Sequence, residues 1–173
     1  DVNLSDGVSV LSRRLIIVLL FFLPYISFST EDDVLPPNLE ARIIIKMTSF
    51  SKELSKKNEI NVGVVGNNKL VDVLNDLSNN KTLTNYREIK AFDITIGTTM
   101  PDVLVLGALD YNVFVQWASR CIESNTWCFV NSEKRLEKGV LFALYNDEGI
   151  PGASISMTAS RRLGLTWSES VLK

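Results

Sequence analysis

The chain contains no histidine. That removes the side chain most often used as a general base and the commonest imidazole metal ligand. Cysteine is scarce: Cys121 and Cys128 are the two in 173 residues. Two thiolates without an imidazole fall short of a four-ligand zinc site. Six residues separate them, so they do not form the Cys-x-x-Cys of thioredoxin-like redox centres. Charge of one sign is not in excess either: 18 Lys and Arg face 20 Asp and Glu, a formal charge of −2. Such a chain has no broad electrostatic reason to hold nucleic acid or an anionic membrane. The sequence lacks G-x-G-x-x-G, G-K-[ST] and G-x-S-x-G, which leaves dinucleotide, phosphate-loop and serine-hydrolase chemistry without their signatures. What remains is ordinary globular composition, 46% apolar and 22% charged, long enough for one domain with a real core.

Residues 1–29 read as an export signal, not as fold. Arg13 and Arg14 form a basic start, and LIIVLLFFLPYI over residues 15–26 is a twelve-residue apolar run. That length suits a signal peptide and is short for a membrane span. Ser27 and Ser29 place small residues at −3 and −1 of a cut, so the expected mature chain is a single domain over 30–173; an uncleaved anchor is the alternative. The stretch before the arginines, DVNLSDGVSV, reads as upstream read-through or a clipped start. Export puts the cysteines in an oxidising space, where thiols pair and disulfides persist. A Cys121–Cys128 disulfide closes a short loop and stabilises the fold by about 2.5 kcal/mol on the chain-entropy view. Two buried free thiols are the alternative, which the apolar neighbours Ile122, Trp127 and Phe129 also permit.

Along the mature chain, helical and extended patterns alternate. After Pro36-Pro37, the segment LEARIIIKMTSFSKEL spaces Leu39, Ile43, Met47 and Phe50 along one helical face, widened by Ile44 and Ile45. EINVGVVGNN is a strand that stops at Gly66-Asn67. KLVDVLNDLSNN follows as a helix with Leu70, Val73, Leu74 and Leu77 on one side. A second extended region spans residues 86–96, and Val103–Leu106 is a continuous apolar run of the kind buried on both faces. YNVFVQWASRCIES is a helix whose apolar face holds Val113, Phe114, Trp117, Ala118, Cys121 and Ile122, and TWCFVN is the next strand. SEKRLEKG is a charged loop, and GVLFALYNDEGIPGASISM is a β-hairpin that turns at residues 146–149. TASRRLGL closes with a short helix stopping at Gly164. The expected architecture is a three-layer α/β sandwich, mostly parallel, with an antiparallel hairpin near the C-terminus.

No set of catalytic residues emerges. Gly63 and Gly66 at a strand-to-helix junction suit a tight turn better than a phosphate cradle. The acidic groups Glu31-Asp32-Asp33 and Asp147-Glu148 fall in a tail and a hairpin tip, where carboxylates stay solvated. Lys46, inside IIIKM, is expected to carry its ammonium out to water. Arg161-Arg162 is the most suggestive polar cluster, since paired arginines suit carboxylate or phosphate partners, although a helix-face or C-terminal charge role is slightly favoured. Trp117 lies on a core-like face, whereas Trp167, beyond the helix stop, is the better interface anchor. Arg161, Arg162 and Trp167 are therefore the candidate partner-binding residues; catalytic, metal and cofactor residues are expected to be absent.

In order, ARIIIKMTSF, INVGVVGNNKLVDVLNDL, DVLVLGALD, the seven-residue cysteine separation and GVLFALYNDEGIPGASISMTASRRLGLTWSESVLK resemble the YfiR/HmsC-like periplasmic family. In the closing segment the matching residues are Ile155, Ala159, Arg162, Gly164, Leu165, Ser168, Val171 and Leu172. A second cysteine pair, present in some members, is missing here. The resemblance implies a non-enzymatic periplasmic regulator. Such a protein binds the periplasmic domain of an inner-membrane diguanylate cyclase and restrains it, which lowers cyclic di-GMP in the cell. It further implies homodimers, an outer-membrane lipoprotein that relieves the restraint, and no cofactor. The alternative reading of the same α/β pattern is a periplasmic small-ligand sensor or transport accessory protein, with a crevice at the strand C-termini.

Overall fold

Short apolar strands separated by amphipathic helices must bury both faces of a sheet, and the chain does so. A computed structural model describes residues 34–81, 83, 84, 87–136 and 139–165, within the unit Glu31–Lys173. The signal segment 1–29 and Trp167 lie outside the described residues.

The elements run α1 (Pro37–Ser49), a 3₁₀ turn (Leu54–Lys56), β1 (Glu59–Val65), α2 (Asn68–Ser78), β2 (Glu88–Asp93), β3 (Val103–Leu106) and α3 (Tyr111–Ser124). They continue with β4 (Trp127–Val130), a 3₁₀ turn (Glu133–Arg135), β5 (Phe142–Asp147), β6 (Ile150–Ile155) and α4 (Met157–Arg162). The strand order is β2-β1-β3-β4-β5-β6. Strands β1 to β5 pair in parallel and β6 runs antiparallel to β5, as the hairpin pattern predicts. Its turn is two residues, Glu148 and Gly149, both at positive φ (50° and 88°), the twist that matches right-handed strands.

Alternation along the strands feeds two cores. Ile60, Val62, Val64, Val103, Val105, Trp127, Phe129, Phe142 and Leu144 point to one face, where they meet Ile44 and Ile45 of α1, Leu70 and Leu74 of α2, and Ala159 of α4. Leu104, Leu106, Cys128, Val130 and Ala143 point to the other, against Phe114, Trp117, Ala118 and Cys121 of α3. These are the three layers. Strands β3 and β4 are buried at every position, which is what a sheet covered on both sides requires. Phe129 and Phe142 stack at 4.6 Å between centroids, a pair worth about 0.5–1.5 kcal/mol beyond the area it hides.

Helix starts follow their caps. The Asn67 side chain accepts from the Leu70 N–H at 3.2 Å, and Ser156 accepts from Ala159 N–H at 3.2 Å. Gly66 at φ 75° makes the turn before α2, and Gly164 at φ 66° ends the turn after α4. One expectation for α1 needs correction. Its buried stripe is Glu40, Ala41, Ile44, Ile45 and Thr48, while Leu39, Ile43 and Met47 are half-buried and Phe50 is exposed. The two adjacent isoleucines, completely buried, set the helix's rotation. The price is a carboxyl and a hydroxyl on the inward side. Lys46 is exposed and lies over the Phe50 ring at 5.4 Å, so its charge stays in water.

Candidate functional site

Of the residues singled out from the sequence, Cys121, Cys128 and Arg162 come together near the amino-terminal ends of β4 and β5. Helix α3 ends on Asn125 in the left-handed conformation (φ 54°), and Thr126 N–H returns to the Cys121 carbonyl at 3.1 Å. This tight reversal sets Cys121, in the last turn of α3, beside Cys128, the second residue of β4. Both are completely buried and both are thiols in the structure. A hydrogen bond with the Cys121 thiol, together with burial, pushes the Cys128 thiol well above the ordinary range; the positive charge of Arg162 acts weakly the other way. Thiolate chemistry is therefore suppressed in the reduced pair.

Arg162 links this pair to the C-terminal helix. Its guanidinium donates to the Gly139 carbonyl at 3.1 Å. Gly139 is at φ 87°, and a Cβ there would sit 2.5 Å from Cδ1 of Ile122 and 3.5 Å from Nη1 of Arg162. Thus α3, the approach to β5 and α4 converge on one glycine, next to the cysteines. The expectation that Ile122 shares the buried face of α3 fails: it is 41% exposed, because it turns away from the sheet to cover Gly139. Arg161 and Arg162 are both exposed in the last turn of α4, favourably placed for the negative end of a helix dipole. Trp117 is core, as expected, at 2% exposure.

Two grooves open at the same end on either side of the buried Trp127. One, of about 260 Å³, runs along Phe50, Lys52, Glu53 and Lys56 to Gly164 and Leu165. The other, of about 530 Å³, lies between Lys57, Met100, Pro101, Asp102 and residues 124–126. Lys57 pairs with Asp102, whose other oxygen accepts from Asn61 N–H at 3.0 Å, so the strand starts are pinned there.

The opposite end, where doubly wound sheets usually open a ligand crevice, is filled by the backbone itself. At the switch between β1 and β3, Gly107 N–H donates to the Val65 carbonyl at 2.9 Å. A Cβ on Gly107 would lie 2.9 Å from the Gly66 carbonyl oxygen. Gly63 and Gly66 thus serve close packing and a turn. Arg135, which sequence reasoning missed, seals the neighbouring corner. It donates to the Leu109 carbonyl at 2.7 Å and lies 4.9 Å from the Phe114 ring centroid. Arg120 does the same at the side of α3, over Trp117 at 4.7 Å and on the Thr98 carbonyl at 2.7 Å.

Glu40 was also missed. It is 2% exposed, its Oε2 has no hydrogen-bond partner, and burial raises its carboxyl to about 7. Among the described residues no cluster of three or more His, Cys, Asp or Glu side chains could hold a metal ion.

Comparison with known proteins gives the chain's family. The YfiR/HmsC-like family description matches residues 37–173, from the first residue of α1 to the last residue of the chain. The chain belongs to the YfiR/HmsC-like family. The family is periplasmic and regulatory, and its theme is cyclic di-GMP signalling. Among curated proteins, nothing matches the chain. No helix among the described residues is long and apolar enough to cross a membrane. For this YfiR/HmsC-like chain, the family match covers every element of the sheet and all the residues at its amino end described above.

Proposed function

We propose that this protein is a periplasmic, non-enzymatic regulator that binds the periplasmic domain of an inner-membrane diguanylate cyclase and holds it in its inactive state. Membership of the YfiR/HmsC-like family over residues 37–173 carries the reading. A binder shifts such an equilibrium only through different affinities for the two receptor states, so the protein needs a shaped, rigid surface and no reacting groups. The amino end of the sheet supplies one: exposed Arg161 and Arg162, the half-exposed Ile122, and the grooves beside Trp127. Trp167, outside the described residues, is proposed from its sequence as a further partner-binding residue. Export proceeds through residues 1–29, with the signal removed. In the periplasm Cys121 and Cys128 join as a disulfide that fixes the α3–β4 corner. An outer-membrane lipoprotein competing for the same surface would release the cyclase.

The backbone-filled switch point weighs against a small-ligand sensor of the usual α/β kind. The direct test is a pull-down of the exported protein with the receptor's periplasmic domain. Retention by wild type and loss with Arg161→Glu/Arg162→Glu supports the reading. Equal retention of the variant removes the arginines from the interface, and no retention of wild type removes the partner.

A further inference from the structure

Positive and negative charges nearly cancel over the whole chain, but the fold sorts them. From α1 to the start of β1, Arg42, Lys46, Lys52, Lys56 and Lys57 are all exposed. The carboxylates in that stretch are Glu40 and Glu53. Glu40 faces inward at 2% exposure, so Glu53 is the one at the surface. Asp102 engages Lys57 from a separate segment. At the other end of the sheet Asp93 closes β2, Asp110 precedes α3, and Asp147 and Glu148 meet at the hairpin turn, all exposed. Lys69 and Lys134 share that end and offset them in part.

The cationic side also carries uncovered apolar surface. Arg42 and Lys46 stand one helical turn apart, on the outer side of α1. Beside them run Leu39, Ile43 and Met47, which are half-buried, and Phe50 follows at 37% exposure. Lys46 Nζ lies 5.4 Å from the Phe50 ring centroid. Past the helix, Phe50, Lys52 and Lys56 line one groove with Leu165. Cations set beside an apolar stripe, with an aromatic ring at its end, are the pattern of a helix that lies in the headgroup layer of an anionic bilayer.

The spread of the charges selects the partner. They are mostly lysines, strung along the helix and around its end. A carboxylate on a protein is best met by a planar arginine fork at one place. A plane of phosphate headgroups instead meets separated ammonium groups all along its extent, and each such cation strengthens attachment about fivefold. We propose that the outer side of α1 and the turn after it form a membrane-facing surface, which rests on anionic phospholipid headgroups with Phe50 at headgroup depth. The formal charge of −2 gives no broad reason for that contact; the surface exists because folding places the carboxylates elsewhere. The proposal goes beyond the regulatory reading and does not depend on it.

Vesicle sedimentation of the exported protein tests it. At low salt, wild type sediments with vesicles of phosphatidylcholine and phosphatidylglycerol, stays in solution with phosphatidylcholine alone, and is released as salt is raised. Lys46→Glu/Lys56→Glu lowers the partition by about 25-fold or more, at about fivefold for each cation lost. Lys69→Glu/Lys134→Glu makes the same change in net charge at the opposite end and binds as wild type does. Phe50→Ala weakens binding and leaves its salt dependence unchanged. Circular dichroism checks that each variant is folded. Wild type that stays in solution with the anionic vesicles overturns the proposal, and so does equal binding to neutral ones. Equal loss in the two charge-reversed pairs overturns it as well, since net charge alone would then govern attachment. If Lys46→Glu/Lys56→Glu abolishes capture by the receptor's periplasmic domain while vesicles are never bound, the cations serve an acidic protein surface and the membrane contact is rejected.

Discussion

At the scale of single residues, the least expected feature is Glu40. A buried carboxyl, with one oxygen unpaired, is held near 7 against an ordinary 4.5, with burial the only cause. The folded state therefore keeps a proton that the unfolded chain gives up between those values. The associated stability is present below about 4.5 and is lost as pH rises through about 7, a change of roughly 3 kcal/mol for a shift of this size. Urea unfolding of wild type and Glu40→Gln at pH 4 and pH 8 checks this. The wild-type midpoint should fall relative to the variant on going to pH 8; parallel behaviour of the two proteins would mean that Glu40 is solvated.

Gly139 is the second residue with a sharp expectation. Alanine there meets Ile122 at 2.5 Å and a backbone at φ 87° that L side chains resist. Gly139→Ala should cost about 1–3 kcal/mol in thermal unfolding. Adding Ile122→Ala should recover the part due to collision and leave the part due to backbone strain. Full recovery would show that the positive φ is of no consequence.

At the scale of elements, the cysteines act on the junction of α3 and β4. With the disulfide formed, the exported protein shows no reactive thiol after denaturation without reductant. Reduction then lowers its stability by about 2.5 kcal/mol. Finding two reactive thiols would establish the buried thiol pair instead. This junction also shows what a sequence makes legible. Helix α3, its stop and the next strand can be read from spacing, and so can the adjacency of Cys121 and Cys128, because all of it is local. The strands can be read too, since the continuous runs of β3 and β4 admit few other placements. The inward side of α1 could not: a stripe counted from Leu39, Ile43 and Met47 competes with one through Ala41, Ile44 and Ile45, and tertiary packing chose the second. Contacts that join distant segments leave no local trace. Arg162 on Gly139, Arg135 on Leu109 and Phe114, and Gly107 against Gly66 each depend on how the sheet brings separate loops together. An arginine within a charged loop is the same letter whether it ends in solvent or on a buried ring.

At the scale of the whole molecule, the sheet is fully buried in the middle and differentiated at its borders. Its carboxyl end is closed by backbone contact, its β2 edge is charged, and its amino end carries grooves and cations. A regulator that works by docking has use for that arrangement, because stiffness converts a small contact surface into a preference for one receptor state. The arginines at the amino end should matter for signalling and little for folding. Arg161→Glu/Arg162→Glu is expected to melt within a few degrees of wild type yet to lose restraint of the cyclase. The central claim is tested most directly by measuring cyclic di-GMP in cells that carry the membrane cyclase, with the protein exported, with it deleted, and with it held in the cytosol by removal of residues 1–29. The account predicts a low level in the first case and equally high levels in the other two. Levels that do not differ between export and deletion would contradict it.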